Sequence, residues 1–339
     1  MAKEKGMSQK EMYESITNKI IEAIESDNGT EWVKPWRNLM SNEVRSIDNR
    51  QYHGVNQMIL NAHQYYLPNK DRCHSKVWGT YKAFKRHGFR IGSEQYKKHA
   101  DIYYFKMLKV KNKEKSKEKN KDVYDKIPMM RFYRVYNGGQ CENWVEPKRE
   151  EVLVAWSDDQ HCTPIENRIA ELNPKIVFGE NQAYYSPITD HIGMPHKEQF
   201  DTPVNYYATL LHELTHWTKP KHRADRRQDL ADKSMSEFRN SYAFEELVAE
   251  LGATFLSSHY NLSNDTAMRE CHIPYLASWL EGIKEDSKAI FKASSLAQKS
   301  SNFILGIVPE WEKQESDEDT TGKNETTGLD SELVCQLTN

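Results

Sequence analysis

Tyr206-Tyr207-Ala208-Thr209-Leu210-Leu211-His212-Glu213-Leu214-Thr215-His216-Trp217 is the stretch that decides how this 339-residue chain is read. Val204, Tyr207, Leu210, Leu211, Leu214 and Trp217 recur at helical spacing, which predicts one buried face. Thr202-Pro203 supplies an N-cap followed by proline at the first helical position. Lys219-Pro220 ends the helix, because proline cannot continue the hydrogen-bond ladder. His212 and His216 then project from one side of the helix, a single turn apart. Neutral imidazoles at that spacing can reach one Zn²⁺, and Glu213 between them can sit beside a water on the metal.

A hydrolytic zinc site needs three protein ligands and an open position. Downstream, Ser236 to Tyr260 reads as a second helix, its apolar surface built from Phe238, Phe244, Leu247, Val248, Leu251 and Phe255. Glu245, Glu246 and Glu250 are embedded in it. Glu246 and Glu250 share a face, while Glu245 points about 100° away. Glu246-Leu247-Val248-Ala249 after a His-Glu-x-x-His pentapeptide resembles the glutamate-ligand zincins. That resemblance implies Glu246 as third ligand and Glu250 as a carboxylate orienting a ligand histidine. A rival is His222, six residues after His216, the spacing of the three-histidine zincins. Those have glycine where this chain has Lys219, and Lys219-Pro220 makes the returning turn harder. Glu246 is therefore preferred. A solvated acidic stripe is the alternative to any metal role for these glutamates.

Ahead of the histidine helix, Tyr184 to His196 reads as strand, turn and strand. An edge strand there would align an extended peptide by main-chain pairing. His191 or His196, or Tyr184 or Tyr185, could line the cleft.

The net charge of −3 conceals a polarity. Residues 1–150 carry 30 Lys and Arg against 19 Asp and Glu; residues 151–339 carry 17 against 31. A basic first half can hold a polyanion that the acidic second half would repel. Within the basic half, Lys76, Trp78, Tyr81, Lys82, Phe84, Lys85, Arg86, Phe89 and Arg90 interleave cations with rings. Single-strand binding uses that mixture, with cations on phosphates and bases stacked on rings. Trp32, Trp36 and Tyr52 are further candidate platforms. The competing reading makes these aromatics the core of a small domain and the cations its solvated face.

Five scattered cysteines show no paired short spacing, which favours reduced thiols in a cytoplasm. No run approaches the ~18–20 apolar residues of a membrane span, and no apolar signal follows Met1, so no membrane partner is expected. The fold class expected is α+β. A basic α+β DNA-binding domain over 1–145 precedes a mostly helical zincin-like metallopeptidase domain with a small edge sheet over 146–310, and 311–339 forms a disordered acidic tail. Helices are expected at 9–27, 55–66, 75–87 and within 147–172. Strands 101–110 and 129–136 should form a hairpin across the lysine-rich segment 111–121.

Tyr206 to Thr218, Arg223-Ala224-Asp225-Arg226, Tyr242 to Ala253 and the upstream Ala183 to Pro187 together resemble the ArdC-type antirestriction proteins and the related N-terminal region of TraC-type plasmid primases. Trp32-Val33-Lys34-Pro35-Trp36 and Tyr52-His53-Gly54-Val55-Asn56 resemble, more loosely, that family's single-stranded-DNA-binding domain. Ile91 to Lys98 departs from the family's usual turn. The resemblance implies a protein of a plasmid or bacteriophage, working in the cytoplasm of a bacterial host. It would bind single-stranded DNA and protect incoming DNA from host restriction, with a host restriction enzyme or other host protein as target. In the expected chemistry His212, His216 and Glu246 hold Zn²⁺ while Glu213 is the catalytic base of a peptide hydrolase. The alternative is a non-enzymatic DNA-binding or DNA-mimicking inhibitor with a structural zinc.

Overall fold

The computed structural model describes residues 9–25, 44–65, 73–111, 124–147, 162–226, 242–262 and 273–308. It is mixed α+β, with a sheet-containing N-terminal part and a mostly helical C-terminal part bearing a small sheet. The N-terminal part runs α1 (Gln9–Glu25), β1 (Arg45–Ser46), α2 (Gly54–Tyr65), β2 (Val77–Thr80), α3 (Tyr81–Arg86), β3 (Ala100–Lys111) and β4 (Tyr124–Asn137). The C-terminal part follows with α4 (Thr163–Leu172), β5 (Ile176–Phe178), β6 (Tyr184–Ser186), β7 (His191–Met194), α5 (Pro203–Trp217), α6 (Tyr242–His259), α7 (Ile273–Glu285) and α8 (Ala289–Leu305). Among these, no helix is long and apolar enough to cross a membrane.

The first sheet has the order β1-β2-β4-β3. β3 and β4 pair antiparallel from Ala100 opposite Val135 to Lys111 opposite Tyr124, as the alternating aromatic and β-branched residues lead one to expect. The helix expected over 75–87 is not formed as one piece. Val77 to Thr80 is instead a strand, parallel to β1 and antiparallel to β4. Val77 and Trp78 are buried there, so the sheet's ladder and core outweigh a helical reading of the same apolar spacing. A helix starts only at Tyr81, where the Thr80 hydroxyl accepts a hydrogen bond from the Ala83 N–H. The expected helix within 147–172 is realised as α4, and the acidic helix as α6. Residues 148–161, 227–241 and the tail expected over 311–339 lie outside the described residues.

One apolar core joins the two parts. Ile16 and Ile20 of α1 and Met58 and Ile59 of α2 pack with Leu247, Val248 and Leu251 of α6, Trp279 of α7 and Ile290 of α8. The Thr17 hydroxyl adds a hydrogen bond to the Ser287 carbonyl at 2.8 Å. A second core holds Leu210, Leu211 and Leu214 of α5 against Ile192 and Met194 of β7, Ile165 of α4 and Leu256 of α6. The small sheet has the order β5-β7-β6, which leaves β6 as an edge beside α5.

α5 and α6 approach closely because Gly252 faces Thr215. A Cβ placed on Gly252 would lie 2.5 Å from Thr215 Cγ2 and 2.7 Å from its Oγ1. Thr215 stands between the two histidines in sequence, so this contact sets the distance from α5 to the carboxylates of α6. Gly252→Val is expected to destabilise the fold by about 1–3 kcal/mol through overpacking. A urea-unfolding midpoint equal to that of the wild type would show that the helices are not in this contact.

Candidate metal centre

Thr202 caps α5 by accepting from the Asn205 N–H at 3.1 Å, and Pro203 opens the helix. The helix ends at Trp217, ahead of Lys219-Pro220. This fixes the face on which His212 and His216 stand. Their rings lie 4.8 Å apart between centroids, and their Nε2 atoms are 3.2 Å apart. Glu246 reaches in from α6, with Oε1 3.3 Å from His216 Nε2 and Oε2 3.5 Å from His212 Nε2. One donor atom from each of the three lies within 4.8 Å of the others. Two imidazole nitrogens and a carboxylate oxygen within reach of one ion suit a divalent metal. His222 is exposed and stands outside this cluster.

A surrounding set of charges holds the donors in place. His212 Nδ1 lies 3.4 Å from Glu250 Oε2, within ion-pair range but without good hydrogen-bond geometry. His216 Nδ1 is 3.2 Å from Glu245 Oε1, and that partner aims its Nε2 at the shared point. Glu245 is in turn gripped by Arg226, whose guanidinium donates to both carboxylate oxygens at 2.9 and 3.1 Å. Arg226 is fully buried and also donates to the Thr215 carbonyl at 2.8 Å and the Thr218 hydroxyl at 3.3 Å. Lys219 Nζ stands 3.3 Å from Glu245.

Neither Glu245 nor Arg226 was assigned a role from sequence. Helical period alone turns Glu245 away from Glu246, and Arg226 follows a turn whose path no local pattern predicts. The tertiary arrangement uses that divergence, because Glu246 takes Nε2 and Glu245 takes Nδ1 of the same ring.

Burial opposes charge on His216, yet its hydrogen bonds to Glu245 and Glu246 prevail and raise its pKa to about 9. Burial likewise works against ionised Glu246, but the two histidines hold its carboxyl well below the ordinary range. Burial opposes Glu245 too, and Arg226 with His216 keeps it ionised. Glu213 is buried on the same helix turn, where its charge adds to the field raising His216.

Beside the centre, Arg223 stacks on the Trp217 ring at 3.8 Å and pairs with Asp190, which also accepts from the Tyr185 hydroxyl at 2.9 Å. This ties the β6–β7 turn to the end of α5. The Tyr184 hydroxyl is 3.3 Å from His191 Nε2.

The residues read as nucleic-acid contacts divide differently. Lys76, Lys82 and Lys85 are exposed. Arg86 and Arg90 are exposed but paired, with Asp48 at 2.8 Å and Glu142 at 3.5 Å. Tyr52 and Trp78 are corrected by the fold: both are buried in the core behind the first sheet and offer no ring face to a base. Trp32 and Trp36 lie outside the described residues.

Comparison with known proteins agrees with this geometry. A family described as the N-terminal domain of anti-restriction factor ArdC matches residues 10–136, and one described as zincin-like metallopeptidase matches residues 163–296. Protein y4eC of Sinorhizobium fredii is 30% identical over 301 residues, covering 87% of this chain and 91% of its own length. DNA primase TraC of Escherichia coli is 30% identical over 328 residues, 92% of this chain but only 28% of the primase. Crystal structures of the antirestriction ArdC protein from the R388 plasmid superpose with TM-scores of 0.67 (metal-free) and 0.65 (Mn(II)-bound). Each is 29% identical and covers 87% of this chain and 97% of the plasmid protein.

Two outcomes follow from the metal centre. Because His216 is protonated below about pH 9, metal uptake at pH 7 should release about one proton, and affinity should rise with pH until that group has titrated. Calorimetry in buffers of different ionisation enthalpy measures this; zero release at pH 7 would contradict it. Separately, Arg226→Met/Glu245→Gln removes the grip on His216 without stranding a buried charge. It should weaken metal binding about 10–100-fold in a chelator competition, and unchanged affinity would show that Glu245 does not orient the ring.

Proposed function

The chain belongs to the ArdC antirestriction family, and from that membership we propose that it binds single-stranded DNA through its basic N-terminal part and carries a zinc peptidase centre in its C-terminal part. On this reading it serves a mobile element inside a bacterial cell, and a host restriction enzyme or another host protein is its target. The observation that carries the enzymatic half is the convergence of His212, His216 and Glu246 beside Glu213.

The donor set fits a divalent ion, and zinc there supplies a Lewis acid that polarises a carbonyl and lowers the pKa of a bound water. The chain's own residues do the rest. Glu213 accepts the attacking water's proton on a carboxylate oxygen and returns it to the leaving amine. Glu245 and Glu250 keep the two rings oriented, while Arg226 holds Glu245. β6, an edge strand among the described residues and beside α5, offers main-chain groups to an extended peptide. Tyr184 and His191 lie at that edge as donors for a developing oxyanion, whereas the Tyr185 hydroxyl is already given to Asp190.

The DNA half is supported by the basic N-terminal balance and by exposed Lys76, Lys82 and Lys85. Attraction of phosphates to such a surface is long-ranged and salt-sensitive. The chain spans about a quarter of TraC, so priming activity is not carried over to it.

One observation favours the second reading, a DNA-occupying inhibitor with a structural metal. His212, Glu213 and Glu246 are all buried, which limits a substrate's access to the centre. Glu213→Gln separates the two readings. It should keep metal and fold, lower peptide hydrolysis by about 10²–10⁴-fold, and abolish protection of unmodified DNA against restriction in cells. Protection that survives with metal fully bound would leave the peptidase reading without its role.

A further inference from the structure

Among the described residues most rings of the N-terminal part have work inside the fold, although Tyr124 and Phe132 on the β3–β4 ribbon are exposed. Trp78 lies in the core behind the first sheet, and Phe84, Phe89, Tyr136 and Trp144 pack together on its other side. Tyr81 and Tyr96 do not. They are 42% and 46% exposed, and neither belongs to an apolar core among the described residues. Yet they meet each other edge to face, with centroids 5.8 Å apart and planes at 84°.

Both rings stand on anchored backbone. Tyr81 is the first residue of α3, directly after the Thr80 cap. Tyr96 ends a short 3-10 turn, Ser93–Gln95, and its carbonyl accepts from the Tyr136 hydroxyl at 3.0 Å. Gly92 N–H donates to the Gln140 carbonyl on one side of that turn, and the Gln140 side-chain amide donates to the Lys98 carbonyl on the other. A pair of rings held this way has already lost its freedom before a ligand arrives.

Cations surround the pair. Lys85 is four residues after Tyr81 and shares its face of α3; Lys82 adjoins it. Lys97 and Lys98 follow Tyr96 directly. Arg134 lies two residues before Tyr136 on β4 and so projects to the same side of the sheet. All five are exposed. Acids are also near: Asp101 lies opposite Arg134 in the β3–β4 ladder, Glu94 is in the turn before Tyr96, and Glu142 is engaged by Arg90.

We propose that Tyr81 and Tyr96 form the base-stacking platform of a single-stranded DNA site, with Lys82, Lys85, Lys97 and Arg134 on the phosphates. This rests on the DNA-binding half of the reading above and gives it a location. Rings without a core role, fixed in position and bordered by cations, match what sequence-tolerant single-strand binding requires. An isolated exposed tyrosine would carry no such meaning.

The test uses the intact chain and a fluorescently labelled oligothymidylate of about twenty nucleotides, with anisotropy as readout. Tyr81→Ala and Tyr96→Ala should each weaken binding about tenfold, and the pair about a hundredfold. The slope of log Kd against log salt should stay unchanged in these variants. Lys82→Ala and Lys85→Ala should flatten that slope by about 0.7 per lysine. Tyr81→Phe/Tyr96→Phe should bind as the wild type does, since the ring face is kept. The platform is overturned if the double alanine variant, with unaltered thermal unfolding, binds like the wild type. It is also overturned if the double phenylalanine variant loses binding as well. A wild-type chain that fails to bind the oligonucleotide removes the DNA half of the proposed function and the platform together.

Discussion

The centre depends on how closely α5 can lie against α6. Gly252 is the device: any side chain there would collide with Thr215, the residue between the two histidines. With glycine in place, carboxylates from α6 reach imidazoles on α5 across 3.2–3.5 Å. The contact is reinforced from behind, where the Thr218 and Ser300 hydroxyls are 2.9 Å apart and bring α8 against the end of α5. Small side chains at this junction give up apolar burial in return for proximity.

That proximity carries an electrostatic cost. Two histidines, Glu213, Glu245, Glu246 and Glu250 are gathered in a largely buried space, where unpaired ionised groups are unfavourable by several kcal/mol each. Arg226 and Lys219 offset part of the negative charge, and a proton on His216 offsets more. The residual acidity is what a divalent cation would neutralise. Buried charges gathered in this way add little net stability, whereas a divalent metal site accounts for their convergence. Glu245 is the pivot, since it connects the buried guanidinium to the ring that faces the metal.

The N-terminal part is bound to this centre through a common core. α1 and α2 share one apolar core with α6, the helix that donates Glu246. The face bearing Tyr81, Tyr96 and their lysines belongs to the sheet and is separate from that core. The N-terminal and C-terminal parts of the chain are thus joined by apolar packing.

Much of the centre was legible before any fold was known. The capped helix, the paired histidines, Glu213 between them and the acidic second helix all follow local rules, because capping and helical period depend on neighbours a few residues away. Glu246 over His222 was readable from Lys219-Pro220. Chain order and composition also indicated the α+β class and the long β3–β4 ribbon. What tertiary structure alone decided is of another kind. Val77 to Thr80 became strand because two neighbouring strands and a core were there to receive it. Trp78 and Tyr52 went inside, while Tyr81 and Tyr96 came to face each other from segments fifteen residues apart. Arg226 met Glu245, and Gly252 met Thr215. Each of these is a contact between segments distant along the chain. Local propensity carries no information on such distances, which follow only from how helices and strands fill space together.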